Sequence, residues 1–139
     1  GEGTVLSDWA SLADVYPTIL EMADASCGNY EIHGRSLMPL LRGEEVPWRD
    51  AVFTEFYGVN SLATSMVSVR RDNLKYGWNC SNLDELYDLD RDPHETTNLI
   101  DEVEYADAAD ELRHMICDWL QETHFSGMLM YRRSRLDIW

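Results

Sequence analysis

Basic residues are scarce in this chain: 11 Lys and Arg stand against 26 Asp and Glu, a formal charge of -15 over 139 residues. Nucleic acid and anionic membrane both require a basic footprint, so neither is expected as a partner. Long apolar runs are absent as well, since no stretch approaches the roughly 18 residues of a membrane span. Cysteine is sparse. Cys27, Cys80 and Cys117 are odd in number, widely spaced and without C-x-x-C, which argues against a disulfide framework or a zinc site and leans towards a reducing compartment. A bacterial cytoplasmic location is the expectation. His33, His94, His114 and His124 form neither H-x-x-x-H nor H-E-x-x-H, so metalloprotease-type zinc chemistry is excluded. There is no Gly-rich phosphate loop, and Ser36 in "GRSLM" lacks the second glycine of a nucleophile elbow, which makes it a helix cap instead.

What the chain does contain is a globular core. Hydrophobic residues make up 45% and aromatics 11%, enough for one ordinary domain without metals or disulfides. The opening "GEGTVLSDW" does not read like a natural start and is expected to be a cut inside a longer protein. Charge is uneven: residues 84 to 122 carry fourteen Asp and Glu against Arg91 and Arg113, whereas the last eight residues hold Arg132, Arg133 and Arg135. The acidic stretch reads as a solvated face.

Local patterns give the elements. In "SDWASLADVYPTILEMADA", Leu12, Val15, Ile19, Met22 and Ala23 fall at helical spacing; Pro17 must sit in the first turn, which puts a helix over residues 14 to 25 with Asp14, rather than Ser11, as its cap. "GRSLMPLLRG" reads as a short helix capped by Ser36 and stopped by Gly43. Strands follow in "DAVFTEFY", "TSMVSVR", "LKYGWN" and "ELYDL", the middle pair joined at Asp72 and Asn73, which tolerate the positive φ of a tight hairpin. "EVEYADAADELRHMICDWLQETH" then places Tyr105, Ala109, Leu112, Ile116, Trp119 and Leu120 on one stripe, opposite Asp107, Asp110, Glu111, Asp118 and Glu122. That is an amphipathic helix with one buried face. The expected fold class is α+β: a four-stranded antiparallel meander packed against this helix.

Asp88, Asp90 and Asp92 in "DELYDLDRDPHETTNL" match the first three ligand places of a calcium loop, but the glycine and glutamate that such a loop needs are Pro93 and Leu99. The turn reading is better. Asp92 caps a turn that begins at Pro93, and Asn98 and Leu99 close the segment against a core. No metal ligand is assigned in this chain.

Taken together, "LADVYPTILEMADA", "GRSLMPLLRG", "RDAVFTEFYG", "VRRDNLKYGWN" and "DELYDLDRDPHETTNL" resemble, in this order, the C-terminal part of the sulfatase family within the alkaline phosphatase superfamily. The matching positions are Asp14, Pro17 and Thr18; Gly34, Ser36, Leu37, Pro39, Leu40 and Leu41; Arg49, Asp50 and Glu55; Arg70; Lys75 and Tyr76; and Glu85 through Leu99. The likeness runs over about residues 8 to 123. It departs at Asp24, where the family often has glycine, a place an aspartate fills with its backbone in the left-handed region.

The resemblance implies domains at 1–45, the end of an α/β catalytic domain; 46–124, a sulfatase C-terminal subdomain; and 125–139, a tail. The helix at 14 to 25 would be left over from that α/β domain. The family's nucleophile, a cysteine or serine in C/S-x-P-x-R matured to formylglycine, is not present, and neither is its cluster of aspartates around a divalent ion, calcium. Both are implied for a missing N-terminal catalytic domain, the expected partner. This chain is then a non-catalytic portion that supports the catalytic domain and walls the substrate pocket, with Glu55, Tyr57 and Asn60 as candidates for the pocket rim. A homo-oligomer through the tail is a further expectation. The alternative is an independent binding or oligomerisation module that uses the acidic face or the arginine-rich tail.

Overall fold

The computed structural model describes residues 3, 5–57, 65–79 and 82–123, with Tyr57 known by its backbone alone. Its contacts divide the chain into two units, Gly1–Val52 and Phe53–Trp139.

In the first unit a 3-10 turn, Leu12–Asp14, runs into α1, Val15–Met22. The start differs from the expected one. Ser11, not Asp14, caps this end: its hydroxyl accepts from the Ala13 amide at 3.2 Å while the Asp14 carboxylate accepts from the Ser11 amide at 2.7 Å. This reciprocal pair satisfies two amides that a helix start leaves open. The helix ends at Met22, short of the expected 25, with the left-handed residue at the place the sequence suggests. Asp24 takes φ 50°, and the amides of Asp24 and Ala25 return to the carbonyls of Glu21 and Leu20. α2, Met38–Leu41, ends the same way at Gly43, with φ 73° and the amides of Gly43 and Glu44 donating to the carbonyls of Leu40 and Pro39. Ser36 Oγ accepts from the Met38 amide at 3.2 Å, but the cap position of α2 falls one residue later than expected, at Leu37.

The second unit is built on one antiparallel sheet in the order β1 (Ala51–Tyr57), β2 (Ser65–Arg71), β3 (Leu74–Asn79), β4 (Glu85–Asp88). Consecutive strands are neighbours, so the fold is a meander. Val67 pairs with Trp78 and Val69 with Tyr76 across β2 and β3, and Tyr76 pairs with Leu86 across β3 and β4. Those five side chains share one face and are buried. Asp72, with φ 50°, makes the β2–β3 turn where the sequence placed it.

Covering this face is α3, Ala106–Glu122, which lies against β2 and β3. Ala109, Leu112, Ile116, Cys117 and Leu120 form its buried side, so the stripe is rotated slightly from the one expected. Cys117 belongs to the core, whereas Tyr105 and Trp119 are half-buried. Trp119 stacks flat on Phe53 of β1, ring centres 4.9 Å apart and planes 5° from parallel. Tyr76 ties sheet to helix: its hydroxyl donates to Asp84 at 2.7 Å and accepts from Arg113 Nε at 3.3 Å. Burial pushes this phenol far above its ordinary range.

Candidate functional site

The rim candidates fall at the end of β1. Glu55 is exposed on the strand and Tyr57 is its last residue; Asn60 lies outside the described residues, as do the tail 125–139 and Cys80. Glu55 has no cation partner among the described residues.

The "LADVYPT", "GRSL" and "RD" motifs meet at Asp14, whose side chain is fully buried. Arg49 donates to it through both terminal nitrogens, Nη1 to Oδ2 and Nη2 to Oδ1, each at 2.7 Å. The Arg35 amide adds a bond at 2.8 Å to the one from Ser11. Burial alone would raise the carboxyl's pKa, but the Arg49 guanidinium and the two amides outweigh it and hold the group below its ordinary value. Thr18 completes the clasp, donating to the Asp14 carbonyl at 2.6 Å and accepting from the Leu37 amide at 2.9 Å. The Trp48 ring carries the Arg35 guanidinium 4.5 Å from its centre and that of Arg49 at 5.4 Å. These residues have a clear structural task.

Asp88 plays the same part in the second unit. Its oxygens accept from Asn73 Nδ2 at 2.8 Å, from the amides of Asp90 and Arg91, and from the Tyr105 hydroxyl at 3.3 Å. The Asn73 bond leads in holding this carboxyl below its ordinary value. Asp92 accepts from the amides of Thr96 and Thr97 at 2.7 and 2.8 Å, closing the turn that begins at Pro93. The three aspartates therefore do not converge on one point. Among the described residues no three His, Cys, Asp or Glu side chains come together to fit a metal ion.

One surface stands apart. Val15, Ile19 and Met22 of α1 are 46%, 57% and 68% exposed, and the one buried residue of that helix is Thr18. Tyr16 also lines an open groove of about 540 Å³ with Tyr30, Ile32 and His33. An apolar stripe of this kind is rare on an isolated surface.

Residues 2–122 match the family described as N-sulphoglucosamine sulphohydrolase, C-terminal. The chain belongs to this family of sulfatase C-terminal domains. It is 32% identical over 121 residues to an arylsulfatase of Clostridium perfringens, an alignment covering 86% of this chain and 24% of the relative. With the N-sulphoglucosamine sulphohydrolase of Homo sapiens it shares 27% identity over 172 residues, 88% of this chain and 34% of that one. Among solved structures, a 2-O GAG sulfatase superposes with a TM-score of 0.73 at 29% identity, over 89% of this chain and 26% of that one. The chain thus spans a minor part of the length of each relative. The motifs quoted from the sequence, between residues 12 and 99, fall within the family match, and the Asp14 clasp joins three of them.

Proposed function

We propose that this chain is the C-terminal part of a sulfuric ester hydrolase, where it supports the catalytic domain and forms one wall of the substrate pocket. The observation that carries the reading is the family match over residues 2–122, set beside relatives named as sulfatases and several times longer. The exposed stripe Val15, Ile19 and Met22 supports it, because a preceding catalytic domain would cover such a surface. In the whole enzyme the nucleophile, formylglycine, and a divalent metal, calcium, would belong to that domain. They would supply covalent attack on sulfur and stabilisation of the charged sulfate oxygens.

The role left to this chain follows from its charge. A chain of formal charge -15 is poorly suited to hold a sulfate group directly. Carboxylates accept hydrogen bonds from hydroxyl or ammonium groups, so Glu55 is suited to the alcohol side of the ester. Neither nucleic acid nor membrane is a partner in this reading; among the described residues no helix is long and apolar enough to cross a membrane. The tail, with Arg132, Arg133 and Arg135 among apolar residues, would make a contact between subunits.

The test sets the 139-residue chain beside the natural full-length protein, each assayed with 4-nitrocatechol sulfate. Turnover by the full-length protein and none by the chain is expected. Turnover by the chain alone would overturn its supporting role, and turnover by neither would favour the binding or oligomerisation module.

A further inference from the structure

We infer that the stacked rings of Phe53 and Trp119 are positioning residues for Glu55, holding its carboxylate where the alcohol part of the substrate is met. The inference rests on the reading of Glu55 as a rim residue. It starts from β1 as an edge strand, whose one neighbour in the sheet is β2. Side chains alternate along a strand, so Phe53 and Glu55 lie on one face. Phe53 lies flat on Trp119. That face is therefore the one covered by α3.

The direction of the elements places Glu55 near the end of α3. Arg71, the last residue of β2, bonds Glu111 and Met115, in the first and middle parts of α3. Because β1 runs antiparallel to β2, its later residues head towards the C-terminal part of the helix, where Trp119 sits. Two residues beyond Phe53 is about 7 Å along a strand, whereas α3 advances only about 4.5 Å from Trp119 to Glu122. Glu55 thus stands at the lip of the helix end, exposed. Thr54 and Phe56 are exposed too, and no side-chain bond of residues 54 to 56 to another described residue is present. The stack is the last side-chain anchor on β1 before the carboxylate. If it loosens, an edge strand with a single ladder is free to shift.

A carboxylate that accepts from a substrate hydroxyl equally in the ground state and the transition state lowers KM and leaves kcat alone. A residue acting through it must show the same signature and must not add to its loss. The experiment uses the natural full-length protein with 4-nitrocatechol sulfate, which offers a hydroxyl, and 4-nitrophenyl sulfate, which does not. Glu55→Gln, Trp119→Leu and Phe53→Leu should each raise KM for the first probe about tenfold with kcat retained, and leave the second unchanged. The double variant Glu55→Gln with Trp119→Leu should be no worse than Glu55→Gln, and Trp119→Phe should recover most of the affinity. If Glu55→Gln leaves KM unchanged, the rim reading fails and this inference with it. If Glu55→Gln raises KM but the ring variants do not, or if their effects multiply, the inference alone is overturned. Phe53→Leu decides the matter should Trp119→Leu fail to fold, and no turnover by the unmodified protein overturns both readings.

Discussion

Asp14 and Arg49, 35 residues apart in the chain, face each other through two parallel bonds of 2.7 Å, with the Asp14 side chain wholly shut from solvent. Removing one partner of such a pair leaves the other charge without compensation. Asp14→Ala should cost about 3 to 5 kcal/mol, and Arg49→Lys, which keeps the charge but loses the fork, should cost less. Urea denaturation monitored by Trp fluorescence would measure both. No loss at all for Arg49→Lys would remove the case for the two-pronged geometry.

The same pair sets an acid limit. The folded Asp14 carboxyl lies below its ordinary value of 3.8, so the stability it contributes is fully present above that value and is lost as pH falls through the folded one. Asp14→Asn should flatten the acid side of a melting-temperature profile below about pH 4. An unchanged slope would show that other carboxyls carry the acid transition.

Gly34 is required for space. A Cβ there would stand 1.9 Å from the Ala13 carbonyl oxygen, a backbone atom that cannot swing aside. Gly34→Ala should therefore destabilise by about 3 kcal/mol. Gly43 is required for its backbone angle instead: φ is 73° and nothing lies within 4 Å of an added Cβ. Gly43→Ala should cost only about 1 kcal/mol. Thermal melts that ranked the two the other way would contradict this division.

Along α3 the expected order is Ile116→Ala first, at about 2 to 5 kcal/mol for a fully buried side chain. Trp119→Ala follows at about 2 kcal/mol, since the ring is half-buried and its gain comes from stacking on Phe53. Asp118→Ala, exposed between them, should stay within about 0.5 kcal/mol. Chemical denaturation of the three variants gives the ranking directly.

Burial, with Asp118 adding to it, pushes the Cys117 thiol up to about 11. At pH 8 it should resist iodoacetamide in the folded chain and react once the chain is unfolded in urea. Cys27, half-buried, should be labelled in the native state. Peptide mass spectrometry of the alkylated protein separates the sites, and equal native rates at the two would refute the buried thiol.

The strands were legible because their signals are local. Alternation in "LKYGWN" and the Asp72–Asn73 turn mark β3 and its hairpin without any knowledge of partners. The Asp24 stop was readable for the same reason. Asp14 pairs with Arg49 instead of capping the helix, because the rule that favours aspartate at a helix start is local and Arg49 is 35 residues away. Both residues stood in quoted motifs, and pairing an isolated aspartate with an isolated arginine was the signal available. Cys117 is missing from the expected stripe, although it falls with Leu112, Ile116 and Leu120 at apolar spacing. The rim candidates were placed at a strand end, and β1 does end at Tyr57. What lies against them has no local signature in the sequence.

Leu86 gives the sheet a direction of growth. Its amide donates to Asn98 Oδ1 at 2.9 Å and its carbonyl accepts from the Leu99 amide at 2.8 Å, so the outer side of β4 has been paired by its own downstream turn. A strand from another chain finds neither donor nor acceptor at Leu86, which is how natural sheets avoid templating fibrils. Among the described strands the other edge of the sheet is β1, which carries Glu55.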